Sequence, residues 1–251
     1  MTTLLIDGDI FIYKAALAAQ TAADFGEGQW GLAADLPTAT AQFDDTMEQL
    51  QAQLDADRVV IALSDRQNFR KQIMPSYKAN RKDAQRPLLL EPLRQYVRDS
   101  YGFFERPTLE ADDVLGILAT NSKVIKGDKI VVSTDKDLRT IPCTLYNPNH
   151  MDEPEEVTTS QADYSFHVQI LTGDPVDGYG GCPGVGAVKA AKLLSGAAPV
   201  DWWETIVEAY SKAGRTEEDA LATARVARIL RSSDYHYKEK KPILWSPKTQ
   251  K

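Results

Sequence analysis

Cysteine and histidine are scarce in this chain of 251 residues, at two and three. Cys143 and Cys182 are too few for a disulfide framework or a Cys-rich zinc site. His150, His167 and His236 have no ligand spacing and read as structural or surface residues. No apolar run approaches the ~20 residues of a membrane span, so no transmembrane helix is expected. The opening stretch MTTLLIDGD has no basic n-region or cleavage site. With so little cysteine, a reducing cytoplasm is the natural location.

What is present describes a globular protein, with 43% hydrophobic and 26% charged residues. The chain is long enough for a full core. The net charge of −7 argues weakly against nucleic acid as a partner. Its distribution argues the other way, because distribution decides where an anion can dock. Between Arg66 and Arg86 there are seven basic residues and one acid, a window of +6 in a chain that is otherwise −13.

Apolar runs of strand length recur at TLLID (3–7), RVVIALSD (58–65) and KIVVSTDKD (129–137), with a further candidate at FFE. Helical patterns fill the intervals: Ile10–Ala23, Pro37–Leu54, Glu91–Tyr101 and 109–121. Residues 24–36 are Gly-rich and loop-like, and 147–158 is acidic and reads as a surface connection. The last hundred residues look mostly helical, with Trp202 and Trp203 packing a helix. Strands alternating with helices indicate an α/β fold with a mostly parallel central sheet flanked by helices. No internal repeat or low-complexity tract is present.

Acids follow the strands: Asp7, Asp65, and Asp135 with Asp137. In a parallel sheet the strand C-termini share one edge, where ligands bind. A single Asp after a strand is usually a turn residue; four at one edge are harder to explain that way. LEADDVLG adds Glu110, Asp112 and Asp113 at a helix head, where acids also suit the macrodipole. The helical wheel puts Glu110 and Asp113 on the core-facing stripe and turns Asp112 elsewhere, unless the first turn is irregular. LTGDPVDG adds Asp174 and Asp177. Like charges ~4 Å apart repel by about 4 kcal/mol at an effective dielectric of ~20, so converging acids require cations. Ligands without Cys or His favour Mg²⁺, or Mn²⁺ in its place, over zinc. Two such ions suit in-line attack on a phosphodiester. GCPGVGAVKAAKLL is a second signature: Gly184 and Gly186 before a helix let main-chain N–H groups approach a phosphate, with Lys189 and Lys192 extending the contact.

The ordered set LLIDGD, SDRQNFRKQIMPSYKANRK, LEADDVLG, VVSTDKD and TGDPVDGYGGCPGVGAVKAAKLL resembles the 5′–3′ exonuclease and flap endonuclease family over residues 3–195. Within it, the short arch region and the ending ARVARILRSSDYHYKEKKPILW are most similar to the exonucleases of short-tailed lytic phages. The resemblance implies a PIN-like, flap-nuclease α/β core over 1–158 with a short arch at 66–108. Residues 159–251 would then be a helical DNA-binding part containing a helix–three-turn–helix element, with K⁺ at the Gly184–Gly186 turn. It implies two Mg²⁺ groups, the first around Asp7, Asp65, Glu110, Asp112 and Asp113. The second lies around Asp135, Asp137, Asp174 and Asp177. Lys78 and Arg81 would hold the scissile phosphate, Tyr77 would stack on a terminal base, and Arg66, Arg70, Lys71 and Lys82 would contact DNA. The implied activity is hydrolysis from 5′ ends or at flaps to 5′-phosphate and 3′-hydroxyl products. The implied substrates are duplex DNA and RNA–DNA hybrid, acted on by a monomer without a small-molecule cofactor, in phage replication or recombination. Gly178 stands where cellular members usually have Asn. The 44-residue spacer between Asp65 and Glu110 holds Pro75, Pro87 and Pro92 and leaves room only for a short arch.

Two other readings compete. LLIDGDI imitates the nucleophile strand of haloacid-dehalogenase-like phosphatases, with Asp7 attacking a small phosphate ester. That reading leaves Glu110, Asp112, Asp113 and the Gly-x-Gly helix without a role. A non-catalytic, structure-specific DNA-binding protein is the other, and it leaves nine clustered acids unused.

Overall fold

The structure is a computed structural model and describes residues 1–24, 26–81 and 85–247. In chain order the elements are β1 (Thr2–Asp7), α1 (Gly8–Ala18), β2 (Gln20–Asp24), β3 (Trp30–Ala34), α2 (Leu36–Gln53), β4 (Arg58–Leu63), α3 (Arg70–Ile73), α4 (Leu90–Ser100), β5 (Phe103–Glu105) and α5 (Ala111–Ala119). There follow β6 (Asp128–Val132), β7 (Cys143–Tyr146), β8 (Glu155–Val157), α6 (Thr159–Thr172), α7 (Ala187–Ser195), α8 (Trp202–Lys212) and α9 (Glu217–Ala227). The sheet order is β5-β4-β1-β6-β7-β8, parallel throughout except for β8, which pairs antiparallel with β7.

The two-residue period of a strand explains how β1 serves two cores. Leu5 faces Val131 of β6 and Leu115 and Leu118 of α5, whereas Leu4 and Ile6 face Ile12 of α1, Phe43 of α2 and Leu93 of α4. Burying each of these aliphatic side chains contributes roughly 1.5–3 kcal/mol. The β1–α1 junction needs a glycine: a Cβ on Gly8 would lie 2.6 Å from the Ala62 carbonyl oxygen. A third core, around Phe166, Ile170, Trp202 and Tyr210, joins α6, α7, α8 and α9, and Tyr77 belongs to it. Trp202 is buried there, and so is His167, whose Nδ1 lies 2.7 Å from the Asp163 carbonyl oxygen.

Two expectations need correcting. The helix expected over Ile10–Ala23 stops at Ala18, and β2 and β3 form an antiparallel hairpin where a helix end and a loop were expected. Gly26 and Gly28, at φ +99° and +77°, give the reversal a backbone few other residues adopt. The acidic connection 147–158 contains β8, the edge strand of the sheet. No helix among the described residues is long and apolar enough to cross a membrane.

Candidate active site

One group of acids forms where β1 and β6 end, and it takes in Asp135, which was expected in the second group. Asp7 closes β1 and caps α1, accepting from the Ile10 N–H at 3.4 Å, while its other oxygen accepts from the Ser133 hydroxyl at 2.7 Å. Ser133 Oγ in turn accepts from the Asp135 N–H at 3.0 Å, and Asp135 caps the 3₁₀ turn Lys136–Thr140 through the Asp137 N–H at 2.8 Å. Asp7, Asp112, Asp135 and Glu110 line a cleft of about 190 Å³, with Lys78 and Arg81 on its wall. Burial pushes Asp7 up to about 7; the Ser133 hydrogen bond opposes this, and Asp9 and Asp135 add to it. Asp112 is raised well above the usual carboxylate range by burial and then by Asp7 and Asp135. Buried acids that lift one another in this way mark a place that takes positive charge.

The second group is Asp137, Asp174 and Asp177, which offer oxygens all within 4.8 Å of one another. Burial lifts Asp137 to about 7, with Asp135 and Asp174 contributing. Asp177 is also raised by burial, against the opposing pull of Lys78 and Arg81. The loop presenting Asp174 and Asp177 is drawn in by glycine. Gly173 has φ +66°, and a Cβ on it would lie 2.2 Å from the Gly181 nitrogen. This pairs Gly173–Asp174 with Tyr179–Gly180 and turns both acids toward Asp137. Both groups offer only oxygen, the donor set of hard divalent cations, so the residues present fit Mg²⁺ or Mn²⁺.

The two groups are bridged by the segment that follows α3. Lys78 Nζ lies 2.5 Å from Glu110 Oε1 and 3.5 Å from Asp177 Oδ2, and Arg81 lies 2.5 Å from Asp177 Oδ1. Tyr77 donates to Glu110 at 2.7 Å and to Asp177 at 3.1 Å. Burial disfavours charge on Glu110, but Arg70 and Lys78 outweigh it and hold the carboxyl at about 2. Lys78 is raised, because Glu110, Asp112 and Asp177 more than offset its burial.

Several expected roles are not where the sequence put them. Helix α5 begins at Ala111 with Glu110 as its N-cap. Asp113 is on the core-facing side, as the wheel has it, but that side is not the cleft, which Asp112 reaches beside Glu110. Asp113 turns away, fully buried, with both oxygens on the Arg70 guanidinium at 2.7 Å. Arg70, expected on the DNA surface, is only 2% exposed. Both Asp65 oxygens accept main-chain N–H groups, from Arg66 and Thr108, each at 2.7 Å. Asp65 therefore braces a turn and does not line the cleft. Tyr77, expected to stack on a base, is 3% exposed, with its ring centroid 6.2 Å from that of Tyr179. A ring packed in this way has no free face for a nucleotide. Lys82 lies outside the described residues.

The remaining basic candidates lie on the outside. Arg66 and Lys71 are exposed near α3, and Arg66 pairs with Glu91 at 3.4 Å. Gly184 has φ +72° and Gly186 caps α7, with open space where either would carry a Cβ. Lys189 reaches back to the Gly184 carbonyl oxygen at 3.3 Å, and Lys192 lies on the same helix, exposed.

The sequence reading missed Asp9, Ser64, Arg94 and Ser133 as site residues. Asp9 lines the cleft and is held by Arg94 at 3.0 Å. Ser64 Oγ accepts from the Ala111 N–H at 2.8 Å, tying the end of β4 to the head of α5. The signal for Asp9 was its place two residues after Asp7. The serines carry no such signal, because their role depends on partners 47 and 126 residues away.

Known proteins resemble this chain in sequence and in fold. Residues 2–174 match the family model of the 5′–3′ exonuclease, N-terminal resolvase-like domain. The exodeoxyribonuclease of Enterobacteria phage T3 is 30% identical, in an alignment covering 98% of this chain and 93% of that protein. The exonuclease of Escherichia phage T7 is 31% identical, covering 97% and 93%. In fold, the chain is similar to the bacteriophage T5 flap endonuclease in a pseudo-enzyme–product complex with DNA and metal ions. There the TM-score is 0.68 at 14% identity, over 90% of this chain and 89% of that one. This leaves the phosphatase alternative without support: the chain is a nuclease of the 5′–3′ exonuclease and flap endonuclease family.

Proposed function

We propose that this nuclease hydrolyses phosphodiesters at the 5′ ends and short 5′ flaps of duplex DNA, and in RNA–DNA hybrids, releasing 5′-phosphate and 3′-hydroxyl products. Two Mg²⁺ ions serve it, replaceable by Mn²⁺. Asp7, Asp112 and Asp135, with Glu110 beside them, hold one; Asp137, Asp174 and Asp177 hold the other. When bound, such ions polarise the phosphate and a water and neutralise the departing oxygen. Lys78 and Arg81 draw the scissile phosphate over the acids and neutralise charge developing on its oxygens, exchanging their carboxylate partners for it. Arg66 and Lys71 on one side, and the N-terminus of α7 with Lys189 and Lys192 on the other, hold the duplex backbone. K⁺ at the Gly184–Gly186 turn assists there, and the helical part from residue 159 carries that grip. Contacts of this kind position a duplex without reading its sequence. The protein acts as a monomer, in the cytoplasm of a phage host, in replication or recombination.

The observation that carries this reading is the convergence of acids from β1, α5, the turn after β6 and the 173–181 loop beneath two basic side chains. The test is a product ladder from 3′-labelled blunt duplex, 5′-flap duplex, RNA–DNA hybrid and single strand, with Mg²⁺ or EDTA. Mg²⁺-dependent shortening from the 5′ end supports the reading, and the relative rates rank the substrates. Absence of cleavage with either Mg²⁺ or Mn²⁺ sinks it.

A further inference from the structure

The Arg70 guanidinium has five N–H groups; four of them donate to acceptors inside the protein, and the guanidinium also makes an ion pair with Glu110. Nε donates to the Val226 carbonyl oxygen at 2.8 Å, and one terminal nitrogen donates to Asp113 and the Arg228 carbonyl oxygen, each at 2.7 Å. The other terminal nitrogen meets the second Asp113 oxygen at 2.7 Å and Glu110 Oε2 at 3.2 Å. Asp113 is equally committed, also accepting from the Leu230 N–H at 3.1 Å and the Glu110 N–H at 3.2 Å. Arg70 is 2% exposed and Asp113 fully buried.

Three segments far apart in sequence meet at this one ion pair: α3, the head of α5, and the chain at 226–230. Only the head of α5 carries residues of the acid cleft, and the pair touches it twice. One contact is on the Glu110 carboxylate; the other fixes the turn that decides where Asp112 points. We infer that Arg70 and Asp113 are positioning residues. They contact neither metal nor DNA, but clamp the head of α5 against residues 226–230 so that Glu110 and Asp112 face Asp7 and Asp135. The metal site is then completed by chain lying beyond the matched region that ends at residue 174. This inference rests on the metal reading proposed above.

A planar fork cannot be replaced by a point charge. Arg70→Lys in the full chain is therefore expected to lower single-turnover cleavage by about 10–100-fold and to raise the Mg²⁺ concentration at half-maximal rate. Affinity for duplex DNA, measured with Ca²⁺, stays within about twofold, because Arg70 acts through Glu110 on the metal site and not on the duplex grip. Direct titration of the DNA-free protein with Mn²⁺ gives a correspondingly weaker dissociation constant. A buried charge left half-paired destabilises, so the double variant Arg70→Met/Asp113→Leu supplies the control. Apolar replacement of a whole buried pair is often neutral or stabilising. Its melting temperature should return to that of the wild type while Mn²⁺ affinity stays low, since Met and Leu cannot orient Glu110. Three outcomes overturn the inference: wild-type Mn²⁺ affinity in Arg70→Lys, recovery of that affinity in the apolar double variant, or a loss confined to DNA affinity. Cleavage by the wild type under the same conditions keeps the metal reading separate. If the wild type cleaves and the variants bind Mn²⁺ normally, only the positioning role fails.

Discussion

Lys78 is tied to Asp177 twice, at 2.7 Å from its main-chain N–H to the Asp177 carbonyl oxygen and at 3.5 Å from its Nζ to the carboxylate. The main-chain bond, made at a left-handed φ of +53°, fixes where the ammonium can go. That ammonium is also 2.5 Å from Glu110, so one cation sits between the two acid groups, where a phosphate's charge would arrive. Lys78→Ala is expected to lower the single-turnover rate by about 10²–10³-fold, the range for loss of one preorganised charge-stabilising donor. Duplex affinity should change far less. A loss in affinity alone would move Lys78 out of the reacting centre.

The acids around the first group are not equivalent. Asp112 lines the cleft, whereas Asp65 spends both oxygens on main-chain N–H groups. Asp112→Asn should abolish Mg²⁺-dependent cleavage and leave the melting temperature in EDTA equal or higher, because a repelling charge has gone. Asp65→Asn keeps one acceptor of the two and should cost about 1 kcal/mol of stability with most of the activity retained. Rates and thermal melts on the pair decide it; equal loss of activity in both would return Asp65 to the metal site.

The parallel sheet, the acids behind β1 and β6 and the basic segment between α3 and α4 were legible in the sequence, because each depends on residues close along the chain. The wheel put Asp113 on the core-facing side, where it is, and turned Asp112 elsewhere, but it took the core-facing side for the site. The cleft lies on the side of Asp112, which sits in the first turn after the extended N-cap Glu110. Arg70 was unreadable for a different reason. An arginine in a basic run is ordinarily solvated, and the groups that bury this one lie 43, 156 and 158 residues away. The hairpin of β2 and β3 was missed because Ala-rich residues around Ala22 continue a helical composition beyond Ala18.

Protonation gives a further check on the second acid group. Asp137 stands at about 7 in the folded, metal-free protein, against 3.8 ordinarily. A carboxyl raised on folding stabilises the fold fully below about pH 4, and this contribution is lost as pH rises through 7. Glu110, lowered to about 2, works the opposite way: its contribution is full above its ordinary 4.5 and falls only as pH drops toward 2, so it is constant between pH 5.5 and 8. Asp137→Asn is neutral at every pH. In EDTA its melting temperature should exceed that of the wild type by a margin that grows from about pH 4 to pH 7 and then levels off. Mg²⁺ should reverse the order at pH 8 by stabilising only the wild type. A difference that is constant with pH would show that Asp137 is ordinary in the folded protein.

Gly116 tests the contact between α5 and residues 226–230 from the opposite side to Arg70. A Cβ there would lie 2.3 Å from the Leu230 carbonyl oxygen, a distance that main chain cannot accommodate in place. Two effects compete in Gly116→Ala. Alanine in a helix is worth about 0.8–1 kcal/mol over glycine, while overpacking a closed contact costs about 1–3 kcal/mol. The clash involves backbone on both sides, so the cost wins and the variant should melt lower. Leu230 also donates its N–H to Asp113, so pushing it outward loosens the head of α5. The variant should therefore need more Mg²⁺ for half-maximal cleavage, although its methyl group touches neither an acid nor DNA. A higher melting temperature with an unchanged Mg²⁺ requirement would mean that residues 226–230 yield freely and the cleft does not depend on them.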